Sequence, residues 1–505
     1  MERVEPMPPS DEVAARADAY AAAPLLNCLI RELAQPCADP EGRRAYRLPG
    51  GRLLRVRAGR RPAGPEVHTA GGWRRVGHTE LVKLVAEELR RHTGRANDEL
   101  SAEMIDSREA VAALLAARER AAPPEDPYIR SEQSLVTGHP HHPAPKARGG
   151  GPVASWLPYA PEAYARFPLV LLAVREDQAV EDGDTSALDT LGQAPPGYRL
   201  LPAHPWQLDL VGDALAGAFA DGRLLRLGRT AFETRPTAAI RTVHAVGADL
   251  FLKFSLDVRI TNDVRRLWRH DLLKLRRTDA AATAAFARAG GPAAWLSDRG
   301  YRTAAFAFEE LAVVVRDGLE RHTLPGTTVL LAAALAEGFD GNPLDGPVDP
   351  ALWWAAYLRQ VVPPVLAAFA GHGVVVEAHL QNSLIAVDAS GLPVQALFRD
   401  AEGVKLLPET GREDGWERLV YCLVVNHLAE IAAALAERHP GFDPWPAVRG
   451  ELSRHDLPEI PALLAAPALP GKTNLLLRWT GADGAAARYR PLPNPLTGEP
   501  GRAAP

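Results

Sequence analysis

The sequence predicts a mixed fold of α-helices and antiparallel β-hairpins. Apolar residues recur at helical spacing in residues 10–35 and 79–121, for example at Leu81, Leu84 and Leu89. Elsewhere, short apolar runs are separated by turns that contain glycine, which is typical of paired strands. With 505 residues, the chain is long enough for two or three domains that each have a hydrophobic core.

The composition is that of a globular protein and excludes several classes of function. The net charge is −5 and no long basic block occurs, which argues against nucleic acid as the main partner. No uninterrupted apolar run reaches the about 18–20 residues that cross a membrane, and the N-terminus, MERVEPMPPSDE, is acidic and rich in proline. We therefore expect a cytoplasmic protein. Cys28, Cys37 and Cys422 are too scattered for a disulfide framework or a cysteine-based zinc site.

The N-terminal region reads as a mostly helical lobe with one hairpin. The hairpin is RAYRLPGGRLLRVRAGRR (44–61), which turns at Gly50 and Gly51, and the helix that follows has Thr79 as its possible cap. The many arginines of this lobe are typical of a solvated face, although they could also border an anionic substrate.

Residues 131–151, SEQSLVTGHPHHPAPKARGGG, contain so much glycine and proline that they must form a loop. His139, His141 and His142 raise the possibility of zinc, but the adjacent His141 and His142 point in different directions and no fourth ligand has a familiar spacing. Lys146 and Arg148 are better candidates for binding an anion, because two cations and the free N–H groups of a loop can act together.

The middle of the chain contains a strand, residues 168–174, and then His204 in the corner LLPAHPWQLD, where a structural role is favoured. Further along, TAAIRTVHAV and LFLKFSLDVR (237–259) predict a hairpin that brings Arg241 and Lys253 close together. A helix is expected to begin at Thr261 as its N-cap, so that its N-terminus and Arg265 could bind an anion.

The C-terminal part is predicted to be largely helical. Helical patterns cover residues 327–338, 350–370 and 416–438, and the last segment, KTNLLLRWTGADGAAARYRPLPNPL (472–496), predicts a strand pair that turns at Asp483 and Gly484.

Residues 374–403, VVVEAHLQNSLIAVDASGLPVQALFRDAEG, form a predicted hairpin that carries an unusual polar cluster. Glu377, His379, Gln381 and Asn382 precede one strand, and Arg399 and Asp400 end the next, so the two polar ends should meet. Burial of these groups is costly unless they satisfy one another or a ligand, and an amide oxygen beside a carboxylate suits Mg²⁺ with phosphate oxygens. The alternative is a hydrogen-bonded structural hairpin.

Seven segments together resemble the NRPS-independent siderophore synthetases, the family typified by aerobactin synthetases. In order from residue 130 onward, they are GHPHHPAPKARGG, LPAHPWQ, AAIRT, KFSLDVRITNDVR, EAHLQNSL, FRDAEG and LPNPL. The resemblance implies a ligase that needs ATP and Mg²⁺. Such a ligase adenylates a carboxylate, usually citrate or a citrate-derived acid, condenses it with an amine or hydroxyl, and releases AMP and pyrophosphate.

The resemblance also implies a cupped-hand α+β fold, with antiparallel sheets and a helical C-terminal palm, that is commonly a homodimer. Residues 1–130 would be the thumb-like lobe, 131–325 the fingers-like lobe and 326–505 the palm-like lobe. The implied ATP-binding residues are His139, Lys146, Arg148, Arg241, Thr242, Lys253 and Asn382. The implied substrate-binding residues are Thr261, Arg265, Glu377 and His379. The implied catalytic residues are His379, Arg265 and Lys253, and the implied metal ligands are Glu377, Asn382 and Asp400.

One position departs from the family pattern. Where the family usually has S-x-R-T, this chain has Ala239 before Ile240, Arg241 and Thr242. A hydroxyl group expected near the bound anion is therefore missing, which puts the contacts made there in doubt.

Two other functions remain as alternatives. His379, Asn382 and Asp400 on one hairpin are similar to the site of a kinase-like phosphotransferase, but a kinase places a catalytic aspartate between the histidine and the asparagine. Here Leu380 and Gln381 fill that interval, and no G-x-G-x-x-G precedes the lysine strand. The other alternative is a non-catalytic binder of anionic small molecules, which would leave Asn382 and Asp400 without a role.

Overall fold

The computed structural model of the chain describes residues 10–39, 41, 43–149, 151–482 and 489–498. Its helices and sheets confirm the predicted α+β class. Nearly all strand pairs are antiparallel, and the exception within the described residues is the parallel pair formed by Ala294–Leu296 and Pro393–Arg399.

The N-terminal region contains helices and a five-stranded antiparallel sheet. Its elements are α1 (Asp11–Glu32), β1 (Gln35–Cys37), β2 (Arg44–Arg47), β3 (Leu53–Arg57), β4 (Ala63–Thr69), β5 (Gly72–Arg75), α2 (His78–Thr93), α3 (Asp98–Arg118) and α4 (Pro127–Glu132). The predicted hairpin is β2–β3. The helical stretch 79–121 is two helices, because Gly94 adopts a left-handed conformation (φ 71°) that ends α2. The N-cap of α2 is Gly77, so the prediction of a Thr79 cap is wrong.

The middle region is built on two antiparallel sheets. Its elements are α5 (Val153–Trp156), β6 (Val170–Arg175), β7 (Ala179–Gly183), β8 (Tyr198–Ala203), α6 (Pro205–Ala220), β9 (Leu224–Arg229), β10 (Arg235–Pro236), β11 (Thr242–Ala245), β12 (Leu250–Phe254), β13 (Arg259–Ile260), β14 (Asp263–Val264), α7 (Arg269–Arg288), β15 (Ala294–Leu296), β16 (Asp298–Ala304) and β17 (Val313–Asp317). One sheet has the order β10-β11-β12-β17-β16-β7, and the other has the order β8-β6-β9. His204 is fully buried between β8 and α6, and its Nδ1 accepts the N–H of Trp206 (3.2 Å).

The C-terminal region packs a small sheet against long helices. Its elements are β18 (Thr328–Leu331), α8 (Ala332–Glu337), α9 (Pro350–His372), β19 (Val374–Val375), β20 (Ser383–Val387), β21 (Pro393–Arg399), β22 (Lys405–Leu406), α10 (Leu407–Thr410), α11 (Arg412–Leu419), α12 (Ala429–Arg438), α13 (Trp445–Leu452), α14 (Glu459–Ala465), β23 (Ala468–Lys472), α15 (Asn474–Trp479) and β24 (Tyr489–Pro493). The predicted hairpin is β20–β21, in a sheet of order β15-β21-β20-β18. The buried aromatic residues Trp353, Trp354 and Tyr357 of α9 fill the core of this region.

A continuous helix, Arg412–Arg438, includes α11, a π-helical segment and α12. By length and composition it could cross a membrane, a feature that the search for uninterrupted apolar runs did not detect. However, 78% of its most apolar window is buried inside the protein. We therefore assign it as a core helix.

The last strand pair differs from the sequence prediction. The pair is β23–β24, while Asn474–Trp479, expected to be part of a strand, is the helix α15. The carboxylate of Glu32 on α1 accepts the first free N–H groups of α15, from Leu475 (2.9 Å) and Leu476 (2.8 Å). The predicted turn residues Asp483 and Gly484 lie outside the described residues.

Candidate active site

One cavity of about 540 Å³ lies among the three regions and is large enough for a nucleotide or a small substrate. All the residues singled out for the site border this cavity: His139, Lys146, Arg148, Ala239, Arg241, Thr242, Lys253, Thr261, Arg265, Glu377, His379, Asn382 and Asp400. They come from the 131–149 loop, the β11–β12 hairpin, the β13–β14 turn and the two ends of the β20–β21 hairpin. The structure therefore gathers motifs that are up to 261 positions apart, from 139 to 400.

The β20–β21 hairpin brings its polar ends together as predicted. The N–H of Arg399 donates to the carbonyl of Asn382 (3.1 Å), which places Asp400 next to the turn that carries His379. Asp400 has φ 86° and ψ 82°, an uncommon conformation for a residue other than glycine. Such strain costs about 1–3 kcal/mol and persists where the surroundings impose it, frequently in active sites. Ile240 and Thr261, which also border the cavity, likewise have positive φ angles.

Two carboxylates and two cations form an ion-pair cluster at the wall of the cavity. Lys253 Nζ contacts both Asp400 Oδ1 and Glu402 Oε2, and Arg241 contacts Glu402 Oε2 (3.2 Å). Burial would raise the pKa of Asp400, but the charges of Lys253 and Arg316 outweigh this and hold its pKa well below the ordinary value. Burial would also raise the pKa of Glu402. The charges of Lys253 and Arg241 outweigh it, so the pKa of Glu402 is lowered as well. Both acids are therefore ionised at neutral pH.

Arg265 presents a positive charge to the cavity without a carboxylate partner among the described residues. Its Nη2 donates to the carbonyl of Ile260 (2.8 Å) and to Thr261 Oγ1 (2.6 Å). Burial and the nearby Arg241 lower the pKa of Arg265 to about 10, which still leaves it charged at neutral pH.

The expected helix start at Thr261 is wrong. Thr261 lies in the tight turn between β13 and β14 with φ 62°, and the helix α7 begins eight residues later, at Arg269. Arg241 stabilises this non-helical path, since its Nη1 donates to the carbonyls of Arg265 (3.0 Å) and Arg266 (3.1 Å). The anion site predicted at a helix N-terminus is therefore a turn that presents Arg265.

The 131–149 loop carries a second buried charge cluster. Glu162 Oε1 accepts from Lys146 Nζ and from Arg148 Nη2 (2.9 Å), so two cations share one acid. Burial would raise the pKa of Glu162, but Lys146 and Arg148 outweigh it and hold the pKa at about 2. The helix α3 fixes this loop, because Ser107 and Asp106 accept the main-chain N–H groups of Lys146 (3.0 Å) and Arg148 (3.0 Å). The cluster retains a net positive charge beside the cavity.

Among the histidines of the site, His379 is neutral at pH 7. Burial lowers the pKa of the half-buried His379, whereas the neighbouring His139 is exposed. His141 Nε2 lies 2.8 Å from Arg31 and 3.2 Å from Glu430, while its Nδ1 has no hydrogen-bond partner among the described residues. Within the described residues, no group of three or more histidine, cysteine, aspartate or glutamate side chains is placed to hold a metal ion, so the zinc alternative gains no support.

Glu377 is held at the edge of the cavity by Arg418 of the core helix. A Cβ atom at residue 403 would lie 2.2 Å from the carboxylate of Glu377, so Gly403 permits this close approach. The position of Glu377 therefore depends on both the long helix and the turn after Asp400.

The donor groups near Asp400 fit a hard divalent cation that also binds phosphate oxygens. The ion pairs of Asp400 end on Oδ1 and those of Glu402 end on Oε2, so each carboxylate has a second oxygen for a cation. Asn382 adds an amide oxygen at the same wall. Mg²⁺ commonly uses one or two carboxylates together with water and phosphate.

The sequence predictions missed several charged residues of the site. Glu402 lies only two positions after Asp400 in the FRDAEG motif, and this second acid was the available signal. Arg316 and Glu162 lie in stretches without a motif, so nothing in the sequence marked them. Glu430, on α12, also borders the cavity, and its pKa is about 2 because His141 and Arg60 outweigh the effect of burial.

Two family profiles match the chain. Residues 127–337 match the IucA / IucC family, and residues 351–487 match a family described as ferric iron reductase FhuF-like transporter. Among characterised relatives, the L-2,3-diaminopropanoate–citrate ligase of Staphylococcus aureus is 28% identical over 443 residues, covering 74% of this chain and 75% of the relative. The rhizobactin siderophore biosynthesis protein RhbC of Rhizobium meliloti is 28% identical over 429 residues, an alignment that covers 70% of this chain and 72% of RhbC.

Two solved structures share the fold. The ATP-bound aerobactin synthetase IucA of Klebsiella pneumoniae superposes with a TM-score of 0.81 at 21% identity, covering 95% of this chain and 100% of that chain. The petrobactin biosynthesis protein AsbB of Bacillus anthracis gives a TM-score of 0.79 at 16% identity, covering 96% of each chain.

The fold, the cavity and these relatives define a class of enzyme that makes siderophores. The IucA / IucC match over residues 127–337 and the named relatives confirm the resemblance to the NRPS-independent siderophore synthetases that the motifs predicted.

Proposed function

We propose that this protein is an ATP-dependent ligase that adenylates a carboxylate, with citrate or a citrate-derived acid as the first choice. The activated acid is then condensed with an amine or hydroxyl group. The observation that carries the proposal is the single cavity in which Arg241, Lys253, Arg265 and Asp400 meet. The relative named as a citrate ligase and the ATP-bound synthetase with the same fold support this proposal.

The first chemical step requires positive charge more than it requires a base. A carboxylate oxygen attacks the α-phosphorus of ATP, the bond to the bridging oxygen of the β-phosphate breaks, and pyrophosphate leaves. Two anions must approach each other, so preorganised cations lower the barrier. Arg265 has no competing carboxylate among the described residues and would bind the reacting acid, while Lys253 and Arg241 would stabilise the phosphates.

In the second step the nucleophile attacks the acyl carbon, the acyl–phosphate bond breaks, and AMP leaves. The nucleophile loses one proton in this step. His379 borders the cavity and is neutral at pH 7, so it could accept that proton or orient the acyl group. Thr261 would help to hold the acid through the hydroxyl group that Arg265 already contacts.

Mg²⁺ would bind at Asp400 and Asn382, with Glu377 as the third predicted ligand and Glu402 as an additional acid next to Asp400. When bound, this ion would neutralise phosphate charge. His139, Lys146, Arg148 and Thr242, which border the same cavity, would line the nucleotide site. We further propose that the enzyme acts in the cytoplasm as a homodimer, without nucleic acid or a membrane as a partner.

The test is product analysis with purified protein, ATP and Mg²⁺. Citrate, 2-oxoglutarate, succinate and citryl-amides are offered in turn with hydroxylamine as the nucleophile. We expect stoichiometric pyrophosphate, AMP and a hydroxamate with at least one acid. Stoichiometric ADP would instead support the kinase-like alternative and would remove the ligase proposal.

A further inference from the structure

Asp298 is a buried acid that lies behind the cavity wall. It is the first residue of β16, it is 1% exposed, and it does not border the cavity. Its two oxygens hold Arg316 on the neighbouring strand β17, at 2.6 Å from Nε and 3.1 Å from Nη2. Its own N–H donates to Asp279 Oδ1 (2.8 Å), which ties β16 to the helix α7.

The contacts of Asp298 reach both sides of Asp400. On the main-chain side, Asp298 Oδ2 accepts the N–H of Ala401 (2.9 Å), the residue directly after Asp400. On the side-chain side, Arg316 Nη2 donates to Asp400 Oδ1 (3.2 Å) while it remains paired with Asp298. The peptide bond after Asp400 and the carboxylate of Asp400 are therefore fixed by one buried acid and its arginine.

Asp400 needs such a restraint because its backbone is strained. At φ 86° the residue lies in a region that costs about 1–3 kcal/mol for a side chain of this kind. The bond from Ala401 to Asp298 holds the next peptide in the orientation that this conformation requires. Without that bond, the segment 400–403 could relax, and Asp400 and Glu402 would both move.

We propose that Asp298 is a positioning residue that locks Asp400 into its left-handed conformation, through Ala401 and Arg316, for the adenylation reaction. This inference rests on the proposed function for its kinetic consequence. Asp298 contacts neither substrate in this proposal. Loss of its carboxylate therefore lowers turnover and leaves nucleotide binding largely intact.

A second buried arginine, on the same strand as Asp298, provides a control. Arg302 on β16 is 1% exposed and pairs with Asp189 (2.7 and 3.0 Å) and Glu181 (2.8 Å), away from the cavity. Asp189→Asn therefore removes a carboxylate from a buried arginine of the same sheet without touching the segment 400–403. Asp298→Asn makes the same chemical change behind the site.

The experiment compares kcat and KM for ATP, together with the exchange of the Ala401 amide hydrogen, in the wild type and in both variants. We expect Asp298→Asn to lower kcat by about 100-fold, because a displacement of the order of 1 Å has such an effect. Its KM for ATP should stay within about threefold of the wild-type value, since no direct contact is lost. Its Ala401 amide should exchange faster than in Asp189→Asn. Arg316→Lys, which loses the two-pronged contact of the guanidinium with Asp298, should also lower kcat.

The outcomes separate this inference from the proposed function. If the wild type releases pyrophosphate and Asp298→Asn turns over like Asp189→Asn, the positioning role is wrong and the proposed function stands. If the wild type releases none with any acid, the proposed function fails, and equal protection of the Ala401 amide in the two variants would overturn the positioning role as well. Should Asp298→Asn not fold, near-normal kcat of Arg316→Lys would overturn it.

Discussion

Asp400→Asn is expected to abolish most of the adenylation activity while leaving the fold nearly unchanged. The substitution keeps the shape of the side chain but removes the charge that contacts Lys253 and Arg316 (3.2 Å). Each cation keeps another acid, Glu402 for Lys253 and Asp298 for Arg316. No buried cation is therefore left without a partner, and the loss of stability should be about 1.5–3 kcal/mol, the value of a hydrogen bond to a charged group.

The two effects can be measured separately. For a chain of this length the entropy of unfolding is about 1 kcal/mol/K, so the Tm of the variant should fall by only about 1.5–3 °C. Turnover should fall by about 100-fold or more, because the variant lacks a charge that orients phosphate oxygens in the transition state. Pyrophosphate release gives kcat, and calorimetry gives Tm. Asp317→Asn is the control, since Asp317 follows Arg316 on β17 and pairs with Arg299 (3.3 Å) away from the cavity. Near-normal turnover of Asp400→Asn would show that Asp400 has only a structural role.

Ala239→Ser should change the ranking of carboxylates by kcat/KM while leaving the ATP requirement unchanged, because residue 239 borders the cavity two positions before Arg241. One added hydroxyl contact is worth about 0.5–1.5 kcal/mol, or about 2- to 12-fold in kcat/KM; the same ranking with a changed affinity for ATP would place residue 239 beside the phosphates instead. The Tm should fall as the pH decreases from 6.5 to 5. Three buried histidines have pKa values lowered to about 3 or 4: His78, His204 and His427. Unfolded histidines bind protons in this range and the buried ones do not, so stability is lost as the pH falls, by about 2 kcal/mol at pH 5 for one residue such as His204. Glu32 and Asp279, with pKa values raised to about 7 and about 6, oppose this trend but are outnumbered; an unchanged or higher Tm at pH 5 would contradict the reasoning.

The parts of the site that sequence could predict are those formed by local pairing. Arg241 directly precedes β11, Lys253 lies on the adjacent strand β12, and Thr242 is directly opposite Lys253. In the same way, Asn382 and Arg399 meet because a hairpin returns the chain to its starting point. Alternating apolar residues and a turn signal are enough to predict such pairs.

The partners that neutralise these residues could not be predicted, because they come from distant segments. Arg399, next to Asp400, is buried in a pair with Glu132, and the N–H of Ala238 donates to the same carboxylate (3.0 Å). One acid of α4 thus fixes the end of the β20–β21 hairpin and the start of the segment that carries Arg241. No periodicity or motif links Glu132 to either of them.

The Thr79 cap is wrong, and the predicted helix 327–338 begins with the strand β18 (Thr328–Leu331). The other two wrong predictions, the helix start at Thr261 and the strand at residues 474–479, share one physical cause. A Thr-Asn-Asp sequence favours a helix N-cap locally, but Arg241 holds the non-helical segment after β14 by donating to the carbonyls of Arg265 and Arg266. Conversely, residues 474–479 contain apolar side chains suited to a strand, but Glu32 caps them as a helix from the other end of the chain. In both places a long-range contact with a charged side chain outweighs the local preference.

The charge distribution of the site suggests how the enzyme can hold so many cations before ATP binds. Lys253 is paired with Asp400 and Glu402, and Lys146 and Arg148 share Glu162, so most of the positive charge is already balanced. A buried cation without such a partner would be strongly destabilising, since burial disfavours the charged form. Arg265 differs, because its described contacts are a carbonyl and a hydroxyl group, which satisfy its hydrogen-bonding groups but do not neutralise its charge. Among the described residues no carboxylate forms an ion pair with Arg265, although Asp263, Asp400 and Glu402 lie near enough to favour its charged form.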